Sequence, residues 1–218
     1  MSNEPQHVNR LDRRKARTRA ALIGAAQTLI AEGRTNAPIL EITQAADVGM
    51  GSFYNHFDTK EQLFEAAVEA AMDAHGQLLD TLTADIEDPA EIFACSFRLT
   101  GRLHRKAPEL SRVLLSNLLR LLSADDGLAP RVRRDIAAGV AAGQFDAEDL
   151  DVAVAMAAGS LLALGQLLHD QPERDVDETV DRVTEELLRM LGVPRRRAQR
   201  ISTLPLPDID VAGGGSAA

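Results

Sequence analysis

Apolar side chains along this 218-residue chain recur every three or four positions rather than every two, which is the period of helices and not of strands. Leu22, Ala25, Ala26, Leu29 and Ile30 share one face, which predicts a first helix over 11–32 stopped by Gly33. Short helices follow over 39–46 and 50–57, separated by the turn Asp47-Val48-Gly49. A longer helix then carries Leu63, Phe64, Ala67, Val68 and Ala71 on one side and continues to about residue 86. Thr59 is its predicted N-cap, and Gln62 three positions on completes a capping box. Asp88-Pro89 opens a helix with Ile92, Phe93, Phe97, Leu99 and Leu103 inward. Pro108 opens another with Leu110, Val113, Leu114, Leu118, Leu121 and Leu122. Helices over 130–142, 147–168 and 176–191 complete the series, the last closed by Gly192 and Pro194. No stretch reads as a strand, so the expected fold is all-α with about nine helices.

Composition agrees. Alanine and leucine dominate and β-branched runs are scarce. With 45% hydrophobic and 26% charged residues, wholesale disorder is excluded. Aromatics reach only 3%, with no Trp and one Tyr, which argues against a single-strand nucleic-acid reader that stacks bases on aromatic platforms. The lone Cys95 excludes an intramolecular disulfide and a multi-cysteine metal site, and it fits a reducing, cytoplasmic setting. The basic run at 10–19 followed by AALIGAAQTLIA imitates a targeting signal, but Gln27 and Thr28 interrupt the apolar part. Residues 152–168 carry no charge over 17 positions. They are short for a bilayer span and hold Gly159, Ser160, Gly165 and Gln166, so they read as a buried helix and no membrane contact is expected.

The net charge of −9 hides an asymmetry: residues 1–60 sum to +2 and residues 61–218 to −11. Within residues 10–20 stand six basic residues (Arg10, Arg13, Arg14, Lys15, Arg17 and Arg19) against one acid, Asp12. An acidic body repels a polyanion, whereas a basic tip attracts one by displacing condensed counterions. A plain solvated arm accounts for the same run. A second basic cluster, Arg195, Arg196, Arg197 and Arg200, precedes a Pro- and Gly-rich tail that reads as disordered; no role is assigned to it.

Residues 39–64 read ILEITQAADVGMGSFYNHFDTKEQLF, two short helices joined by a tight turn. That is the outline of a helix-turn-helix, whose second helix enters the DNA major groove. Ile39, Ile42 and Ala46 would pack inward, Val48 would fill the corner, and Phe53 and Phe57 would anchor the second helix. Met50, Gly51, Ser52, Tyr54, Asn55 and His56 remain on its other side, mostly short or polar, as contact with base edges and phosphates requires. Lys60 falls in the first turn of the next helix, where amides and an ammonium group can face a phosphate.

The order G-S-F-Y-x-H-F-x-x-K-E-x-L-F resembles the DNA-binding domain of the TetR family of bacterial repressors, and the recognisable part covers about residues 13–65. The resemblance implies that Met50, Gly51, Ser52 and Asn55 approach bases. It implies that Tyr54, His56 and Lys60 hold phosphates, and that Arg13, Arg14 and Arg17 reach flanking backbone or minor groove. Tyr54 as a packing residue, His56 as a partner of nearby backbone and Met50 as surface filler are the competing readings. Thr43, where the family carries a small alanine, is counted with the DNA-facing residues. Asp47 stands where the family has a turn glycine, and Asp tolerates the left-handed conformation better than most residues. Pro38 replaces the usual Ser/Thr cap, leaving that task to Asn36 or the loop.

The resemblance also implies an N-terminal three-helix DNA-binding domain and a C-terminal helical ligand-binding and dimerisation domain. The chain then divides into a disordered arm at 1–9, the helix-turn-helix domain at 10–62, the ligand-binding and dimerisation domain at 63–193 and a disordered tail at 194–218. Residues 152–168 and 176–191 are the candidate dimer helices, with a monomer core as the competing reading. Candidate lining residues for a small, largely apolar effector are Met72, His75, Phe93, Phe97, His104, Leu114, Leu118 and Met156, each of which also reads as plain core. The partners implied are a double-stranded operator, a small molecule and a second copy of the chain. An enzyme is the more distant reading: the sequence holds no Walker loop, G-x-S-x-G or H-E-x-x-H, and its five histidines are scattered, so no catalytic residue, metal or cofactor is expected. A DNA binder controlled by a protein partner is the nearer alternative.

Overall fold

The computed structural model describes residues 10–116 and 128–207. Among them are ten helices and no strand: α1 Arg10–Ala31, α2 Ile39–Ala45, α3 Met50–Phe53, α4 Lys60–Leu82, α5 Pro89–Lys106, α6 Pro108–Ser116, α7 Leu128–Ala141, α8 Leu150–Asp170, α9 Val176–Met190 and α10 Arg195–Ser202. The expected arm at 1–9, Leu118, Leu121 and Leu122, and the tail beyond Pro207 lie outside the described residues. The chain forms two compact units, one from residues 1–76 and 104–129, the other from 77–103 and 130–218. Helix α4 therefore begins in the first unit and ends in the second.

In the first unit, α1 contributes Leu22, Ala26, Leu29 and Ile30 to a core that receives Ile42, Phe53, Phe57, Leu63, Ala67 and Val68. Phe53 is fully buried, and its truncation to Ala would cost about 3–5 kcal/mol. The Gln27 amide donates to the Ala67 carbonyl at 3.1 Å, tying α1 to α4. Helix α6 packs on α1. The end of α1 is closed by Gly33 in the left-handed region (φ 72), with Arg34 N–H bonded to the Leu29 carbonyl and Gly33 N–H to that of Ile30. The capping box at α4 forms: Gln62 N–H donates to Thr59 Oγ1 at 3.2 Å, and Gln62 Oε1 accepts from Asp58 N–H at 2.9 Å.

In the second unit, Phe93, Ile136, Phe145, Leu164, Leu168, Val180, Leu187 and Leu188 make one apolar core. Asp149 caps α8 and Asp175 caps α9, each through its carboxylate on free amides of the first turn. The C-terminal segment corrects the expectation of disorder from residue 194. Helix α10 buries Ala198 and Ile201 in this core. Its basic cluster is partly consumed by ion pairs, Arg197 with Asp88 at 2.7 Å and Arg200 with Glu91 at 3.1 Å. Arg98, 4% exposed, grips Asp181 with two nitrogens and donates a third bond to the Leu204 carbonyl at 2.6 Å, so the chain beyond α10 is held as well. Periodicity could not show this, because the partners lie about a hundred residues away in sequence.

Candidate nucleic-acid interface

The turn between α2 and α3 sets the position of the recognition segment. Val48 N–H bonds to the Thr43 carbonyl and Asp47 N–H to that of Gln44, which is a Schellman closure with Asp47 left-handed at φ 51. No side chain caps α2; Glu41 and Ile42 N–H instead share the Pro38 carbonyl. Helix α3 is shorter than the sequence predicts: regular helix covers Met50–Phe53, and residues 54–56 form a turn. Phe53 and Phe57 hold this segment from below, their ring centres 6.1 Å apart, with the Arg19 guanidinium 5.1 Å from the Phe57 ring.

Above these anchors the surface is open. Met50, Gly51, Tyr54 and Asn55 are exposed, and Ser52, His56 and Lys60 are half-buried. Tyr54 is 59% exposed and meets Phe53 edge-on, with ring centres 5.3 Å apart. A Cβ placed on Gly51 would meet nothing within 4 Å, so no neighbour in the chain requires a glycine there. Arg13, Arg14 and Arg17 are exposed on α1 and make no ion pair to another described residue. Thr43 departs from the group. It is 2% exposed and donates its hydroxyl to the Leu40 carbonyl at 2.9 Å, so it packs α2 inward and cannot face DNA.

The described candidate effector residues are divided between the two units. Met72, His75, His104 and Leu114 belong to the first unit, Phe93, Phe97 and Met156 to the second. His104 is buried with Nδ1 2.6 Å from Ser111 Oγ. Burial lowers His75 to a pKa of about 4, which keeps its imidazole neutral. Phe93 stacks on Phe97 and meets Phe145 edge-on within the core. Met156 is a correction: at 48% exposed it stands on the outside of α8, with Val152, Ala155, Gly159 and Ala163, and lines no interior. The expectation of a buried α8 is revised with it. By length and apolar character it is the one described helix able to cross a membrane, yet only 28% of that stretch is buried. Sequence reasoning passed over Asp80, Arg131, Arg134 and Asp135, which form a connected charged group in the second unit. The spacing of 131, 134 and 135 along one helix was the available signal. Among the described residues no three His, Cys, Asp or Glu gather as metal ligands would.

A short helix seated on buried phenylalanines behind a tight turn, beside a basic first helix, defines a helix-turn-helix protein with a separate helical body. Residues 22–67 match the bacterial regulatory proteins of the tetR family, and residues 88–203 match the tetracyclin repressor-like C-terminal domain. The chain belongs to the TetR family of transcriptional regulators. The second match includes α10, in keeping with its place in the fold. The regulator RolR, solved in complex with resorcinol, is 35% identical with a TM-score of 0.70, covering 90% of this chain and 98% of RolR; without ligand it superposes with a TM-score of 0.74. The DNA-binding transcriptional repressor TetR of Mycobacteroides abscessus is 27% identical over 161 residues, 74% of this chain and 80% of that one. The transcriptional repressor KstR2 of Mycolicibacterium smegmatis is 31% identical over 94 residues, where the chain spans 46% of that relative's length.

Proposed function

We propose that this regulator acts as a homodimeric repressor of a two-fold operator and is released from it by a small hydroxylated aromatic compound. The observation that carries the DNA part is the open surface of Met50, Gly51, Ser52, Tyr54 and Asn55, rigidly backed by Phe53 and Phe57 and not needed by the core. Met50, Gly51, Ser52 and Asn55 read base edges. Tyr54, His56 and Lys60 hold phosphates, and Arg13, Arg14 and Arg17 reach the flanking backbone. One such segment touches few base pairs, so useful specificity needs two, spaced by a dimer. The uncharged outer face of α8 supports that dimer, since a contiguous apolar surface in water calls for a partner surface. The effector class follows from RolR, which is similar over nearly its whole length and is seen with resorcinol. An effector that prefers a conformation with wrongly spaced recognition segments must lower DNA affinity by the same coupling energy.

Fluorescence anisotropy on fragments of the protein's own upstream region tests the DNA part. Lys60→Ala should weaken binding to every fragment and reduce the salt slope by about one. Ser52→Ala or Asn55→Ala should instead change the preferred sequence, by about 1–3 kcal/mol at one position. Absence of salt-sensitive affinity for any of these fragments would refute the DNA part outright.

A further inference from the structure

Arg19 is set apart from the other basic residues at the start of α1 by where its side chain rests. It stands one turn before Leu22 and two turns before Ala26, both fully buried, so it lies on the face that α1 turns to the core. Its guanidinium sits over the Phe57 ring, 5.1 Å from the ring centre. Phe57 is buried and follows the turn at residues 54–56 directly. Its N–H bonds to the Phe53 carbonyl at 3.0 Å, so the ring belongs to the recognition segment and moves with it. Phe57 neighbours Phe53, and Phe53 neighbours Tyr54. Arg19 and Tyr54 are therefore the two exposed ends of one aromatic series whose middle is buried.

The seat leaves the chemistry of the guanidinium unspent. A cation over a ring is held by the quadrupole of the ring, which uses none of its N–H donors. Arg19 makes no hydrogen bond or ion pair to another described residue, whereas Arg34 in the same unit is consumed by Glu32 and Glu41. An arginine loses rotamer freedom when it grips an anion, and one already resting on a buried ring has given up part of that freedom beforehand. Arg13, Arg14 and Arg17 fall on other sides of α1 and have no such seat. A planar fork of donors, held beside a surface suited to DNA, matches the geometry of a backbone phosphate.

We propose that Arg19 is a further DNA-contact residue, a phosphate clamp whose guanidinium is positioned by the Phe57 ring. This assignment rests on the DNA reading put forward above. Because the ring is part of the recognition segment, the phosphate that Arg19 grips also fixes where that segment stands against the bases.

Fluorescence anisotropy on fragments of the protein's own upstream region, over a series of salt concentrations, tests the clamp. Arg19→Ala should weaken binding to every fragment about tenfold and reduce the salt slope by about one, with the urea midpoint of the free protein unchanged. Arg19→Lys keeps the charge and loses the planar fork, so it should recover the slope and not the affinity. In a Phe57→Leu background, which keeps an apolar side chain and removes the ring, Arg19→Ala should weaken binding by no more than about threefold. Should Phe57→Leu fail to fold, the comparison of Arg19→Ala with Arg19→Lys carries the test. Weaker binding in Arg19→Ala with an unchanged slope, or with a lowered urea midpoint, would make Arg19 a packing pin and overturn the clamp. Full recovery of slope and affinity in Arg19→Lys would overturn the part assigned to the ring. Wild-type affinity in Arg19→Ala overturns the clamp and leaves the DNA reading standing, provided that Lys60→Ala still reduces the slope. A wild type with no salt-sensitive affinity for any fragment overturns the DNA reading, and the clamp with it.

Discussion

The recognition segment and helix α8 both hold large apolar side chains in water, in contrasting company. Met50 and Tyr54 stand among Ser52, Asn55 and His56, in a unit whose first helix carries six basic residues. Val152 and Met156 stand with Ala155, Gly159 and Ala163 in a stretch that has no charge at all. Single exposed apolar residues are common on any surface, so exposure alone separates nothing. What separates the two regions is the neighbourhood. Polar and basic surroundings leave a thymine methyl or a phosphate as the fitting partner, and an uncharged stripe leaves another apolar stripe.

The sharpest way to break this contrast is to give α8 the charge it lacks. In the dimer proposed above, Met156→Asp would place two like charges near each other across the interface, in surroundings that cannot solvate them. Sedimentation should show a monomer. Affinity for upstream DNA should fall by about 100-fold or more, because two tethered half-sites would become two independent ones. A variant that remains dimeric with full DNA affinity would return α8 to the role of an ordinary surface helix.

A smaller effect distinguishes the two units by their response to acid. His75 lies in the first unit with its folded pKa lowered from 6.5 to about 4 by burial. The unfolded chain then takes up the proton first, so stability is constant above pH 6.5 and declines as pH falls toward 4, by up to about 3 kcal/mol. Asp135, in the second unit, has its carboxyl raised, and the sign reverses: the folded state holds the proton better, so stability is lost as pH rises through its folded pKa. Asp80 and Asp88 are lowered, and their contribution disappears only as pH falls below 3.8, outside the His75 window. Hydrogen exchange at pH 5 against pH 7 should therefore loosen α1 and the first half of α4 before α9. His75→Gln should remove that difference, and an unchanged profile in the variant would place the acid sensitivity elsewhere.

The same contrast explains how much could be read from the sequence. The Thr59–Gln62 box, the Gly33 stop and the left-handed Asp47 are decisions made within five residues, and each forms as the local chemistry requires. Depth is a different matter. A motif position assigned Thr43 to the DNA face, but the roll of α2 turns its hydroxyl onto Leu40. An uncharged run read as interior at Met156 because apolar composition does not say whether a face turns inward or outward. Long-range ion pairs were least legible of all: Arg98 with Asp181, Arg197 with Asp88 and Arg131 with Asp80 are separated by 83, 109 and 51 residues, and no local period encodes such meetings. The helix-turn-helix is built from near neighbours, and its outline was largely visible. The charged network of the second unit is built from distant ones and was not.

The smallest effect tests the local side of this contrast, at Asp47. Its φ of 51 lies where L-residues pay about 1–2 kcal/mol, less for Asp, whose short side chain can bond locally. Asp47→Gly removes that strain, and against it Gly loses more backbone freedom on folding, by about 0.5–1 kcal/mol. The two terms nearly cancel, which predicts a net gain of no more than about 0.5 kcal/mol in urea unfolding. The Schellman bonds of Val48 and Asp47 use backbone only, so the turn keeps its shape in the variant and DNA affinity should stay within about twofold. A loss of stability larger than the roughly 1 kcal/mol that glycine's backbone freedom accounts for would mean that the carboxylate, and not the backbone, holds α3 in place, and the recognition segment would then owe its position to a side chain that the motif leaves variable.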